Sequence, residues 1–183
     1  PFGGSLAGSD TIVRGLRQAS EDDGVRAIIL RVDSPGGSGT ASDAIWREVG
    51  VARRKKPVVV SMGDYAASGG YYIAMGADAI VAEPGTITGS IGVFSGKFSL
   101  RGLYGKLGVS QETVRRGKNA TLFSGWEPWT DEERAKVRSL NVAFYETFVA
   151  KAAEGRKKTP QEIDAVAQGR VWTGEEALKV GLV

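Results

Sequence analysis

The spacing of apolar residues changes repeatedly along this chain, and each change marks an element. Between Ser9 and Asp23, Ile12, Val13, Leu16 and Ala19 recur at helical intervals and predict an amphipathic helix. Ala27-Ile28-Ile29-Leu30-Arg31-Val32 follows as a short run rich in β-branched residues, the form of a buried strand. Asp33-Ser34-Pro35-Gly36-Gly37 breaks the chain before a predicted helix from about Thr40 to Arg54. A second strand, Val58 to Met62, leads through Ala66-Ala67-Ser68 into a short helix from Gly70 to Met75. Ala79 to Ala82 is a third strand, and Gly85 to Gly92 is a glycine-rich connection. Alternation of this kind predicts an α/β fold, a layered parallel sheet with flanking helices.

The last third of the chain reads as helical. Thr130 with Glu133, Thr159 with Glu162 behind Pro160, and Thr173 with Glu176 are three capping boxes, each a threonine followed three residues on by glutamate. Val137, Leu140, Phe144 and Phe148 form an apolar stripe that belongs to a core or a subunit contact.

Composition narrows the class. The 183 residues are 42% hydrophobic and 25% charged, which suits a folded single domain over 1–183 and argues against disorder. The net charge of +3 comes from scattered basic residues, and the clusters at 53–56 and 156–158 fall where helices should end and complement their dipoles, so nucleic acid is not expected as a partner. No apolar run approaches the ~20 residues of a membrane-spanning helix, and no signal-peptide pattern is present. The start at Pro1 and the apolar end Gly181-Leu182-Val183 read as a piece of a longer protein.

The chain contains no histidine and no cysteine, which restricts its chemistry. Ser68 stands at a strand-to-helix turn, between Ala66-Ala67 and Gly69-Gly70, where its hydroxyl is exposed, its neighbours are small and its own amide is expected to aim at an adjacent anion. Taken alone, Ser68 is also an ordinary helix N-cap. Gly36-Gly37, on the preceding strand-to-helix turn, favours chemistry. In a parallel sheet both turns lie at the carboxyl ends of strands, so the glycine amides and the serine can converge on one point. A serine needs a general base, and with imidazole excluded the usual remaining choice is a neutral lysine amine.

Four segments carry a resemblance: 30–38 (LRVDSPGGS), 60–74 (VSMGDYAASGGYYIA), 88–93 (TGSIGV) and 169–174 (GRVWTG). In sequence and order they resemble the signal peptide peptidase A, or protease IV, family. The resemblance implies the fold shared by Clp protease and the crotonases, and a membrane-associated serine endopeptidase. Such an enzyme degrades cleaved signal peptides and other short hydrophobic peptides with a Ser-Lys dyad and needs no cofactor or metal. By motif position Ser68 corresponds to the nucleophile and Gly37 to the oxyanion-hole glycine, with the Gly69 amide as the second donor. Ser90 matches a serine that lies near the dyad lysine. The resemblance further implies a homo-oligomer held at the cytoplasmic (inner) membrane through segments outside this chain.

The lysine is where the sequence departs from that pattern. Single-domain members carry it at the position occupied here by Ala120, and Lys118 lies two residues away, ~6 to 7 Å along an extended chain. The stretch Gly117-Lys118-Asn119-Ala120 is most like the C-terminal repeat of the family's long, two-repeat form, in which the other repeat supplies the lysine. The expected base therefore comes from another repeat or subunit, with Lys118 as the candidate within the chain. Two other functions share the fold: a non-catalytic assembly module, permitted by Ala120, and an acyl-CoA hydratase or isomerase, which would need an acidic residue and a nucleotide pocket that nothing in the sequence marks.

Overall fold

The computed structural model describes residues 6–183, whose contacts group into two compact units, 6–92 with 145–183, and 93–144. In the first unit α1 (Ser9–Glu21), β1 (Ile28–Ser34), α2 (Gly39–Arg53), β2 (Val58–Ala67), α3 (Gly69–Ala74), β3 (Ala79–Val81) and β4 (Ile87–Gly89) follow one another. After the second unit's α4 (Arg101–Lys106), the long helix α5 (Asp131–Arg156) begins in the second unit and ends in the first, which α6 (Pro160–Val166), β5 (Val171–Thr173) and α7 (Gly174–Lys179) complete.

β2 organises the sheet, whose order is β1-β2-β4-β5. It pairs in parallel with β1 along one edge, and on the other with β3 at Val59–Ser61 and then β4 at Tyr65–Ala67. β5 runs antiparallel to β4. Val58, Val60 and Met62 of β2 are buried together with Val49 of α2, Tyr71 and Tyr72 of α3 and Phe148 of α5. Tyr72 lies at the centre, 4.6 Å from the Phe148 ring and edge-on to Trp46 at 6.3 Å. Burying side chains of this size stabilises by roughly 1.5 to 3 kcal/mol each. Gly155 lets α5 close on α3, since a Cβ there would lie 2.0 Å from the Met75 carbonyl oxygen.

The second unit has its own small core around Leu122 and Val137. Tyr104 of α4 stacks on Trp126 at 5.5 Å, and Glu133 accepts a hydrogen bond from Thr121. Of the stripe on α5, Val137 and Phe148 are buried whereas Leu140 is exposed.

All three capping boxes form. Each glutamate accepts from the backbone N–H of its threonine, which holds the carboxyls of Glu133, Glu162 and Glu176 below the usual range. A carboxyl whose folded pKa is depressed binds more protons when unfolded. Its stabilisation is therefore complete above the unfolded value of about 4.3 and is lost as pH falls through the lower folded value. The expected result is a drop in melting temperature between about pH 5 and pH 3 that is shallower in a Glu133→Gln, Glu162→Gln, Glu176→Gln triple variant. Equal slopes in the two proteins would show that the caps do not contribute.

Candidate active site

β1 and β2 are parallel neighbours, so the turns that follow them emerge at the same edge of the sheet. They touch. A Cβ on Gly36 would lie 2.9 Å from both the Ser68 Cβ and the Gly69 nitrogen, and a Cβ on Gly69 would lie 3.2 Å from the Gly37 nitrogen. Gly36 and Gly37 have φ of 111° and 153°, which favour glycine, and Gly36 could not carry a side chain against the serine. Around Gly37 the space is open.

Ser68 itself adopts φ 51° and ψ −116°. A serine with positive φ between a strand and a helix is strained, and such strain persists only where the surroundings over-determine it. Three contacts do so here: the Ser68 amide donates to the Gly89 carbonyl at 2.9 Å, the Ser68 carbonyl accepts from the Tyr72 amide at 2.8 Å, and Gly36 lies against Cβ. The hydroxyl does not cap α3, so the N-cap alternative finds no hydrogen bond. The expectation that Ser68 aims its own amide at an anion is corrected, because β4 takes that amide as the continuation of its pairing with β2. Among the described residues, the amides of Gly37 and Gly69 donate to no protein acceptor. These are the two donors named from the sequence, and they flank the turn that carries the hydroxyl.

Ser90 follows the Gly89 carbonyl that holds Ser68, has φ 50°, and is fixed by its own amide donating to the Arg170 carbonyl at 2.7 Å. Gly89 is also required. A Cβ there would meet Trp172 of β5 at 2.6 Å. Nothing in the sequence singles out Ser42. Its buried hydroxyl donates to the Ser38 carbonyl at 3.0 Å in the first turn of α2, and a Cβ on Gly69 would come within 2.6 Å of it.

Lys118 belongs to the second unit. Residues 114–120 form no strand; 117–123 are turns and bends, so the two-residue strand offset from Ala120 does not apply. The Lys118 side chain is 70% exposed and paired with Glu132. A general base needs a lysine buried away from water and carboxylates, and this side chain has both beside it.

The structure thus belongs to the class in which a strand-to-helix turn displays a serine beside free backbone amides on a layered α/β sheet. Residues 51–183 match peptidase family S49, and the chain belongs to that family. It is 45% identical over 181 residues to the chloroplastic serine protease SPPA of Arabidopsis thaliana, covering 98% of this chain and 27% of that protein. It is 43% identical over 178 residues to Protease 4 of Salmonella typhi, covering 96% and 28%. The chain therefore spans little more than a quarter of the length of these relatives. A ClpP1 mutant from Listeria monocytogenes superposes with a TM-score of 0.59 at 14% identity, over 96% of this chain and 81% of that one, and the expected Clp protease-like fold is thereby established.

Proposed function

We propose that this chain is the serine-bearing domain of an endopeptidase in which Ser68 is the nucleophile and the amides of Gly37 and Gly69 form the oxyanion hole. The observation that carries the reading is the strained Ser68 turn lying under Gly36-Gly37 with both donor amides free. Ser68 Oγ attacks the peptide carbonyl carbon as a neutral lysine removes its proton. The carbonyl oxygen becomes an anion held by the two amides, the lysine returns the proton to the leaving amine, and water hydrolyses the acyl-serine. The base is supplied by another repeat or subunit, Ser90 supports it, and no cofactor takes part.

Short hydrophobic peptides, including remnants of signal peptides, are the proposed substrates. The proposed setting is a homo-oligomer at the cytoplasmic membrane, anchored outside this segment. No helix among the described residues is long and apolar enough to cross a membrane. A fluorophosphonate probe tests the function directly in the full-length protein. Phosphonylation of Ser68 is expected, and an unreactive serine in an assembled, folded protein would favour the non-catalytic module instead.

The oxyanion role makes a separate forecast for Gly37. A Cβ at that position meets nothing within 4 Å, so Gly37→Ala perturbs the backbone angle and the aim of one amide more than the packing. Because that donor acts chiefly on the charge formed in the transition state, kcat should fall by about 10² with KM changed little. A raised KM at unchanged kcat would assign Gly37 to substrate binding.

A further inference from the structure

The register between β1 and β2 changes just before the candidate site. Partner numbers differ by 30 from Ile28↔Val58 to Val32↔Met62 and by 32 at Ser34↔Ala66, so β2 carries two more residues than β1 between these rungs. Asp33 alone faces Gly63, Asp64 and Tyr65 across this bulge. Its Oδ1 accepts from the Tyr65 amide at 3.2 Å, and its carboxylate occupies the space beside Gly63, where a Cβ would lie 2.7 Å from the Asp33 Cγ. On the other flank the buried Thr86 hydroxyl donates to the Gly63 carbonyl at 2.9 Å. Immediately beyond the bulge, Tyr65–Ala67 pairs with β4 and the Ser68 amide reaches Gly89.

Bulges redirect strands and are common beside active sites. Here the two extra residues decide where Ser68 arrives: without them the serine would shift by about 6 to 7 Å along the strand, away from Gly36-Gly37. We propose that Asp33 is a positioning residue, whose carboxylate oxygen holds the β2 bulge and thereby sets Ser68 against its oxyanion amides. As a statement about catalysis, this rests on the function proposed above. Asp33 does not touch the reacting atoms; it acts through Tyr65, Gly63 and the β2–β4 pairing.

Asparagine keeps an Oδ1 acceptor and alanine removes it, so the pair isolates the contact. In the full-length protein Asp33→Ala should lower kcat for a short hydrophobic peptide ester about a hundredfold with little change in KM, the scale expected when a catalytic group is misplaced by about 1 Å. Asp33→Asn should restore most of the rate. Hydrogen exchange gives a readout independent of activity. The Ser68 amide should lose protection in the alanine variant and keep it in the asparagine variant, while the Ile28 amide, bonded to the Pro57 carbonyl at 2.9 Å, stays protected in both.

Normal kcat and normal Ser68 protection in a folded Asp33→Ala protein would overturn the proposal, as would an asparagine variant as impaired as alanine. If the wild type proves to be no peptidase, the functional reading fails and the exchange comparison still decides the positioning. If Asp33→Ala does not fold, Gly63→Ala displaces the same carboxylate and should lower Ser68 protection and kcat together; unaltered values would again overturn it.

Discussion

Replacing Ser68 with alanine should abolish peptide hydrolysis by the full-length protein, with kcat reduced at least about a thousandfold and the fold unchanged. A nucleophile has no substitute, and what remains after its removal is the slow reaction of water with the bound substrate. Stability should change little, because the substitution removes a hydroxyl that makes no capping bond and retains the Cβ that packs against Gly36. The variant should also keep the exchange protection of the residue-68 amide, since its bond to Gly89 involves only backbone. Steady-state hydrolysis of a peptide ester, combined with fluorophosphonate labelling and a melting curve, makes the test. Turnover near wild type in a folded Ser68→Ala protein would remove Ser68 from the mechanism.

Much of the sheet can be read from periodicity, and the exceptions have physical causes. β1, β3, α1 and α2 lie within a residue or two of their predicted limits, because each is a continuous apolar run or a clean helical stripe bounded by a turn. β2 extends to Ala67 rather than Met62, since Gly63-Asp64 interrupts its apolar pattern at the bulge. β4 and β5, three residues each, escape the pattern for a different reason. Ile87-Thr88-Gly89 and Val171-Trp172-Thr173 contain strand-favouring types, but at three residues each they are too short for an alternation to show, and they are strands through pairing with each other and, for β4, with β2.

The site shows the same division. That Gly36-Gly37 and Ser68 converge follows from parallel topology, which alternating strand and helix patterns specify. That the Ser68 amide is consumed by Gly89 does not, because β4 reads in sequence as part of a glycine-rich loop. Asp33 is visible within a recognisable motif, yet its contact with the bulge requires a register that spacing cannot supply.

The isolated chain from Pro1 to Val183 should be inactive even when well folded. A lysine with solution pKa near 10.4 must be brought to about 7 or 8, at a cost of roughly 4 kcal/mol, which requires burial away from water and carboxylates. In the unit that carries Ser68 the lysines are committed elsewhere. Lys55 pairs with Glu21, Lys56 donates to the Ala19 carbonyl, Lys151 pairs with Asp43 and lies over the Trp46 ring, and Lys179 pairs with Glu175. Lys157 and Lys158 follow the end of α5, which closes on Met75 at the opposite end of α3 from Ser68. Lys118, in the second unit, is exposed and paired with Glu132.

A base contributed by another repeat or subunit fits these environments and would confine hydrolysis to the assembled protein. In full-length protein, Lys118→Ala should keep kcat within about twofold of wild type, since it removes one exposed ion pair of the kind that contributes little. Assaying the isolated chain, the full-length protein and its Lys118→Ala variant on one peptide ester separates the possibilities. An isolated chain that hydrolyses the ester and loses that activity on Lys118→Ala would place the base within this domain and overturn the shared-site reading.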